Sequence, residues 1–347
     1  PSGDALAVVS WLEPEGGHLW SVPRDGGGPS RLSPSPRYLS APAWSPDGGR
    51  IVVLQAPVSA RLGGGTQSRT ELVWYPGSGG PFSAIAPSNG RSAPHFERGT
   101  ADRIYLHGGA RGLVSIRWDG TDERQHLLVT GFTAARGGSP QNASWINVSP
   151  ACGKALARVE NDLYVISFTQ VGSDPPTVSV RNPDNAAFPF TKVTELGGEF
   201  PVWSADGGEV MWSLGGAVFR YDLERARIVN DSIADASEAA STDDSVDEAG
   251  GADETEEREK GLEEYRAAEV RVTLTESRDL PDGVLVLRGA RVVTMRGDEV
   301  IERGDIVTRG SRIEAVGRVG SVAIPEGAEV RDVSGMTIVP GFVDAHA

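Results

Sequence analysis

Self-similarity constrains this chain more than any other feature. Four segments follow one pattern: APAWSPDGGRIVVLQ from Ala41, SAPHFERGTADRIYLHG from Ser92, INVSPACGKALARVENDLYVISF from Ile146 and FPVWSADGGEVMWSLGGAVFRYDL from Phe200. In each, an aromatic or apolar residue precedes a polar turn, and a short strand of apolar or alternating character follows. Trp44, Phe96, Val148 and Trp203 align, 52, 52 and 55 residues apart. A partial copy, ALAVVSWLEPEGGHLWSVPRDGGGPSRLS, leads the chain from Ala5 and has the later strands of a unit without its first. A period of this length signals a repeat architecture. Each unit spells about four short strands, and a single such sheet cannot cover both of its faces. Repetition around an axis covers them and leaves only short edges, which is the β-propeller solution.

The turns fit this reading. In SPDG, Pro presets φ at one position and Gly supplies a positive φ at another. Trp44 and Trp203, just ahead of these turns, are expected to pack between blades rather than to stack on a ligand. The composition, with 44 glycines and 23 prolines in 347 residues, is turn-rich without reaching low complexity. No window resembles a signal peptide or approaches the roughly 18 apolar residues of a membrane span. The sequence opens on Pro1, so an address label could have stood before it.

The net charge of −15 is mostly local. Asp231 to Glu264 holds 14 acidic and 2 basic residues, and the remainder 34 acidic and 31 basic. The remainder is thus nearly neutral, with no basic stripe to meet phosphates, which argues against nucleic-acid binding. The acidic stretch has too few apolar residues to offset its ordering entropy and reads as a disordered or weakly helical linker, solvated rather than metal-binding. A helical turn is expected near Glu254 to Arg266. The single cysteine, Cys152, excludes an internal disulfide or a cysteine metal cage and reads as a small half-buried filler. Asn-x-Ser triplets at Asn142, Asn147 and Asn230 carry no weight, because such triplets arise by chance.

The repeats W44SPDGGRIVVL and W203SADGGEVMW, with the Leu-Trp-x-x-Pro-x-Asp-Gly tail at Leu19 to Gly26, resemble those of TolB-type propellers. That likeness covers roughly residues 1–230. It implies a ring of six or more blades, so blades upstream are expected to be missing. An exported location, periplasmic or secreted, is what the resemblance favours.

After the acidic stretch, alternation returns. EVRVTL from Glu269 reads as a strand, as does VLVLRGARVVTM over Val284 to Met295. DIVTRGSRIEAVG, Asp305 to Gly317, is a hairpin about Arg309-Gly310-Ser311. EVRDVSGMTIVPGFVDAHA adds another strand, a turn at Ser334-Gly335 and a last apolar run. The order Leu287–Val292, Asp305–Gly317 and Asp332–His346 resembles the start of a metal-dependent amidohydrolase of the imidazolonepropionase and dihydroorotase type.

That resemblance implies a small β-sandwich flanking a (β/α)₈ barrel, with Pro-Gly-Phe-Val-Asp-x-His entering the barrel as its first strand. Strand alternation sends both imidazoles of a His-x-His pair to one side, and at the C-terminal end of a barrel strand that side is the mouth. There they hold a divalent metal and leave positions open for water. Carried over by position, His346 is the first ligand of the pair, supported by Asp344 one step deeper. The second histidine belongs at the position after Ala347. The chain therefore reads as a fragment with no catalytic residue of its own, inactive by itself, its other ligands and general base lying beyond Ala347. His18, His95, His107 and His126 lack ligand spacing and read as surface or inter-blade residues.

The expected fold is mainly β. It comprises a partial TolB-like β-propeller of about four and a half blades over 1–230, an acidic linker over 231–268, an amidohydrolase N-terminal β-sandwich over 269–337 and a first barrel strand over 338–347. The expected function of the intact protein is metal-dependent hydrolysis of carbon–nitrogen bonds in a small-molecule or peptide-like amide, with zinc the favoured divalent metal. The alternative is a non-catalytic propeller that serves as a binding platform. A serine peptidase is disfavoured, because no Gly-x-Ser-x-Gly turn occurs.

Overall fold

The computed structural model describes residues 2–13, 15–59, 70–132, 140–151, 153–169, 174–181, 183, 186–243, 265–277, 280–341 and 343. They form two compact units, Pro1–Thr273 and Leu274–Ala347.

The first unit is a succession of antiparallel sheets, one per sequence repeat. The leading partial copy gives three strands, β1 (Ala5–Leu12), β2 (Gly16–Pro23) and β3 (Ser30–Arg31). The second blade has β4 (Tyr38–Trp44), β5 (Arg50–Ala56), β6 (Glu71–Pro76) and β7 (Ser83–Pro87). The third has β8 (Ser92–His95), β9 (Arg103–His107), β10 (Leu113–Arg117) and β11 (Arg124–Thr130). The fourth has β12 (Trp145–Val148), β13 (Lys154–Val159) and β14 (Asp162–Ser167), from which β15 (Thr177–Ser179) departs to pair in parallel with β11 before β16 (Phe190–Lys192) completes the sheet.

The fifth blade contains β17 (Glu199–Trp203), β18 (Glu209–Leu214), β19 (Ala217–Asp222) and β20 (Ala268–Arg271). β20 is the strand that the sequence reading sets at the head of the C-terminal segment. Here it pairs with β19, Val270 opposite Val218, and closes a propeller sheet from beyond the acidic stretch. That stretch begins inside a helix, α1 (Leu223–Asp243), which starts where Asp222 Oδ1 accepts the Glu224 and Arg225 N–H groups at 3.0 and 2.9 Å. Leu223 and Ala226 dock its first turn on the apolar cluster between the fourth and fifth blades.

Alternation in the strands sends side chains to both neighbouring sheets, so the core lies between blades. Ile51, Val53 and Val73 pack toward the first blade with Leu19, while Val52, Leu54 and Leu72 pack toward the third with Ile104, Leu106 and Ile116. Each such fully buried aliphatic side chain contributes about 1.5–3 kcal/mol. Trp44 and Trp203 pack against these inter-blade clusters, as expected of them.

The turns repeat as faithfully as the spacing. The N–H of Ser45, Ser149 and Ser204 donates to Arg50, Lys154 and Glu209 O in turn, at 2.8, 2.8 and 2.9 Å. Asp47 and Asp206 each accept a serine hydroxyl, at 2.5 and 2.6 Å, and a glycine N–H. These bonds, the serine hydroxyl foremost, hold both carboxyls below the usual aspartate range. Before the turn, Ala41, Ala93 and Phe200 have φ of 50, 49 and 51°, each just ahead of a proline and at a break in strand register. β12 lacks the proline and keeps its register. Among the described residues, no helix is long and apolar enough to cross a membrane.

The second unit is one sheet, ordered β23 (Arg312–Arg318), β22 (Val300–Arg309), β21 (Val284–Val293) and β24 (Glu329–Asp332), with β25 (Thr337–Ile338) also on β21. Its buried cluster is small: Ala290, Val292 and Ile306, with Leu287, Ile301, Val333 and Ile338 against it. Ile313, Val330 and Met336 stay exposed.

Candidate functional site

The three C-terminal motifs meet on β21. Its Leu-x-Gly-Ala-x-Val run pairs antiparallel with β22 on one edge and in parallel with β24 and then β25 on the other. Gly289 sits in the bulge at φ 85°, a left-handed conformation that favours glycine, and an added Cβ would also lie 2.5 Å from Ser334 Oγ in the turn after β24. Asp305 is 1% exposed, and its carboxylate accepts the N–H groups of Gly289 at 3.1 Å and Gly320 at 3.4 Å. It thereby ties β22 to β21 and to the loop after β23.

The Ser334-Gly335 turn is set by Asp332, whose Oδ1 accepts the Ser334 N–H at 2.9 Å. The serine's hydrogen bonding holds Asp332 below the usual carboxylate range. The chain then runs along β21, Arg291 opposite Thr337 and Val292 opposite Ile338. Ile338 is the last residue of the run in the apolar cluster; Val339 is 45% and Val343 91% exposed. Asp344 and His346, the residues the sequence assigns to a metal, lie outside the described residues, as does Cys152. Among the described residues no group of three or more His, Cys, Asp or Glu is placed to hold a metal ion.

The propeller histidines are more organised than their spacing suggests. His95, Tyr105 and His126 form a ring series, with centroids 6.0 and 5.2 Å apart. His95 Nδ1 lies 2.8 Å from Ala93 O, and its Nε2 lies 2.8 Å from Val148 N in the next blade. Ala93 O can only accept and Val148 N–H can only donate. The ring is therefore neutral, protonated at Nδ1, and both nitrogens are engaged. Burial pushes its pKa down to about 4. Arg103 Nε donates to Ser115 Oγ at 2.8 Å, which directs the serine proton to His126 Nε2 at 2.6 Å. His107 is also buried and its pKa is lowered by desolvation. His18 is half-buried, 3.0 Å from Ser33 Oγ. This cluster bolts blades together and is not arranged to bind a cation.

A cavity of about 730 Å³ opens between the fourth and fifth blades. Thr194, Leu196, Trp212, Phe219, Tyr221 and Tyr265 are among its walls. Trp212 and Phe219 stack at 5.6 Å and 7°, and Tyr221 meets Tyr265 edge-on at 5.0 Å. An aromatic-walled cleft of this size suits a small or peptide-like ligand. It was not legible in the sequence because its walls come from residues 191 to 269, on both sides of the acidic stretch.

No family model matches the chain. It is similar over short segments to curated adenine deaminases. The protein from Listeria welshimeri is 32% identical over 85 residues, 24% of this chain and 13% of that protein. Adenine deaminase 1 of Jannaschia is 37% identical and the Mesorhizobium japonicum enzyme 40% identical, each over 62 residues, 18% of this chain and 10% of theirs. The chain thus spans roughly a tenth of the length of these relatives. Among solved structures it is similar to an oligogalacturonate lyase in complex with manganese, with a TM-score of 0.41 at 10% identity over 65% of this chain and 61% of that one. TolB from Acinetobacter baumannii gives 0.33 at 16% identity over 62% and 59%.

Proposed function

We propose that the C-terminal unit is the opening portion of a metal-dependent hydrolase of carbon–nitrogen bonds, and that the propeller blades act as its binding or gating platform. The observation that carries this is the meeting of three motifs on one strand, in the order the amidohydrolase resemblance requires. The short matches to adenine deaminases support the same class and add deamination of a purine-like ring to the amides as a candidate reaction. In this reading His346 is a ligand to a divalent metal, zinc by preference, and Asp344 holds it in position. When bound, such a metal acidifies a water and polarises the carbon under attack. The described residues supply the scaffold that aims the strand.

The test uses the natural gene product that contains this sequence. Hydrolysis of adenine and of cyclic amides is measured with and without chelator, together with metal content. Loss of activity on chelation and its return with zinc are expected. His346→Ala should remove at least the 10–100-fold that even outer-shell partners of a metal contribute, and metal content should fall with it. The reading also expects histidine as the residue after Ala347. Activity indifferent to chelator and to His346→Ala would leave the second reading, a non-catalytic binding platform. The aromatic cavity between the fourth and fifth blades favours that alternative.

A further inference from the structure

The second and third blades are joined by Ser88-Asn89-Gly90-Arg91, which runs from the last strand of one, β7, to the first of the next, β8. Arg91 N–H donates to Ser88 O at 2.8 Å, and Asn89 and Gly90 have φ of 48 and 78°. Two left-handed central residues make this a type I′ turn, for which Asn-Gly is well suited. The sequence holds one Asn-Gly pair, and it lies here.

The flanks of this turn are fixed and its tip is free. Arg91 is 6% exposed, and Ser88 is buried beside it. The Arg91 guanidinium donates to Ser88 O at 3.0 Å and to Pro87 O at 2.7 Å, and it pairs with Glu123 at the head of β11 in the third blade. Asn89 and Gly90 are exposed, and a Cβ added at Gly90 would meet nothing within 4 Å. Among the described residues, neither the Asn89 carboxamide nor the Gly90 N–H has a hydrogen-bond partner.

Other turns of the first unit differ on this point. Asp25, Asp47, Asp119 and Asp206 also precede a glycine, and each carboxylate accepts a main-chain N–H within its turn. A bonded, negatively charged carboxylate resists a nucleophile, and a free neutral carboxamide is the better target. Asn230 lies inside α1, where the next N–H is committed to the helix ladder.

We propose that Asn89 is a site of spontaneous covalent modification that remodels the junction between the second and third blades. The Gly90 nitrogen attacks Asn89 Cγ, the new N–C bond closes a succinimide ring, and the bond from Cγ to the amide nitrogen breaks. The proton that Gly90 N–H gives up, through hydroxide and water, ends on the departing ammonia. Nucleophile and target sit on one chain, and glycine has no side chain to block their approach. Water then opens the ring at either carbonyl, which gives aspartate or, with the chain rerouted through the side chain, isoaspartate. The isoaspartyl form adds a methylene to the main chain and a negative charge at the tip. The hydrogen bond from Arg91 N–H to Ser88 O spans that link and is lost, and the Arg91 clamp on Pro87 and Ser88 loosens with it.

The test incubates the gene product that contains this sequence in mildly alkaline buffer and follows the tryptic peptide Thr70–Arg91 by mass spectrometry, with electron-transfer fragmentation to tell isoaspartyl from aspartyl. A mass gain equal to the exchange of NH₂ for OH is expected at Asn89 ahead of every other asparagine. Its rate should rise in proportion to hydroxide, with isoaspartyl the major product. Amide exchange at Arg91 should quicken by up to about tenfold in the aged protein, as loss of one hydrogen bond permits. Asn89→Gly leaves a pair suited to the same turn and should abolish both changes. No mass gain in the native protein overturns the proposal, whether or not the urea-unfolded protein gains it. A faster gain at another asparagine overturns the choice of site, and a gain at Asn89 without quicker exchange overturns the remodelling of the junction.

Discussion

His95→Gln is expected to flatten the acid side of the protein's stability profile. The wild-type ring bridges two blades as a neutral donor and acceptor, with its pKa down at about 4 against an ordinary 6.5. In the unfolded chain the same ring takes up its proton near pH 6.5. Between pH 6.5 and 4 the unfolded state therefore binds about one proton more than the folded state, and stability rises with pH across that window. The contribution is complete above pH 6.5, falls by about 1.4 kcal/mol per pH unit as pH drops, and has lost about 3 kcal/mol at pH 4. His107, lowered by the same burial, acts in the same direction but is common to both proteins. The variant should cost about 1–3 kcal/mol at pH 7.5, because the Val148 N–H loses its well-placed acceptor. It should then lose less on acidification, so the two curves converge toward pH 4. The assay is urea unfolding followed by near-ultraviolet circular dichroism at half-unit pH steps from 7.5 to 4.5. Two curves that stay parallel over the whole range would refute the neutral-bolt assignment.

Arg50 lies between two indoles of neighbouring blades, 4.7 Å from the Trp74 ring and 4.8 Å from the Trp118 ring. Arg50→Ala should cost about 1–2 kcal/mol in the same urea assay, and Arg50→Lys should restore part of it. Gly120 has φ of 77°, and a Cβ there would lie 2.4 Å from Ile85 O of the preceding blade. Gly120→Ala should therefore lose more than about 2 kcal/mol and lower the melting temperature, whereas Ala at Gly26, which meets nothing within 4 Å, should cost only its backbone strain, about 1 kcal/mol. Asp305→Ala leaves two N–H groups without their acceptor, and protease cleavage should quicken between β21 and β24 while the propeller blades resist as before.

The blades were legible because propeller geometry writes itself locally. A serine-headed turn recurs in three of the repeats, a left-handed residue ahead of a proline in three, and a short apolar strand in each. What joins the blades was not legible. His95 reaches Val148 across 53 residues, and nothing near either one announces the other. Tyr105 gathers histidines whose spacing follows no ligand pattern. β15 leaves its own repeat to pair in parallel with the preceding one, which alternation alone cannot indicate. At the C-terminal end the converging strands follow the order read from the motifs, whereas Asp344 and His346 belong to the part of the reading that stays a proposal.

Because β19 and β20 are neighbours in one sheet, the acidic stretch departs from and returns to the same blade. It works as a buckle on the fifth blade rather than as a tether between two bodies. Closure entropy rises only with the logarithm of loop length, about 0.6 kcal/mol for each doubling. On that scale the length of the connection weighs little beside the pairing of the four residues of β20 with β19. Cutting it is another matter, since a single nick would leave that outermost strand held by its pairing alone.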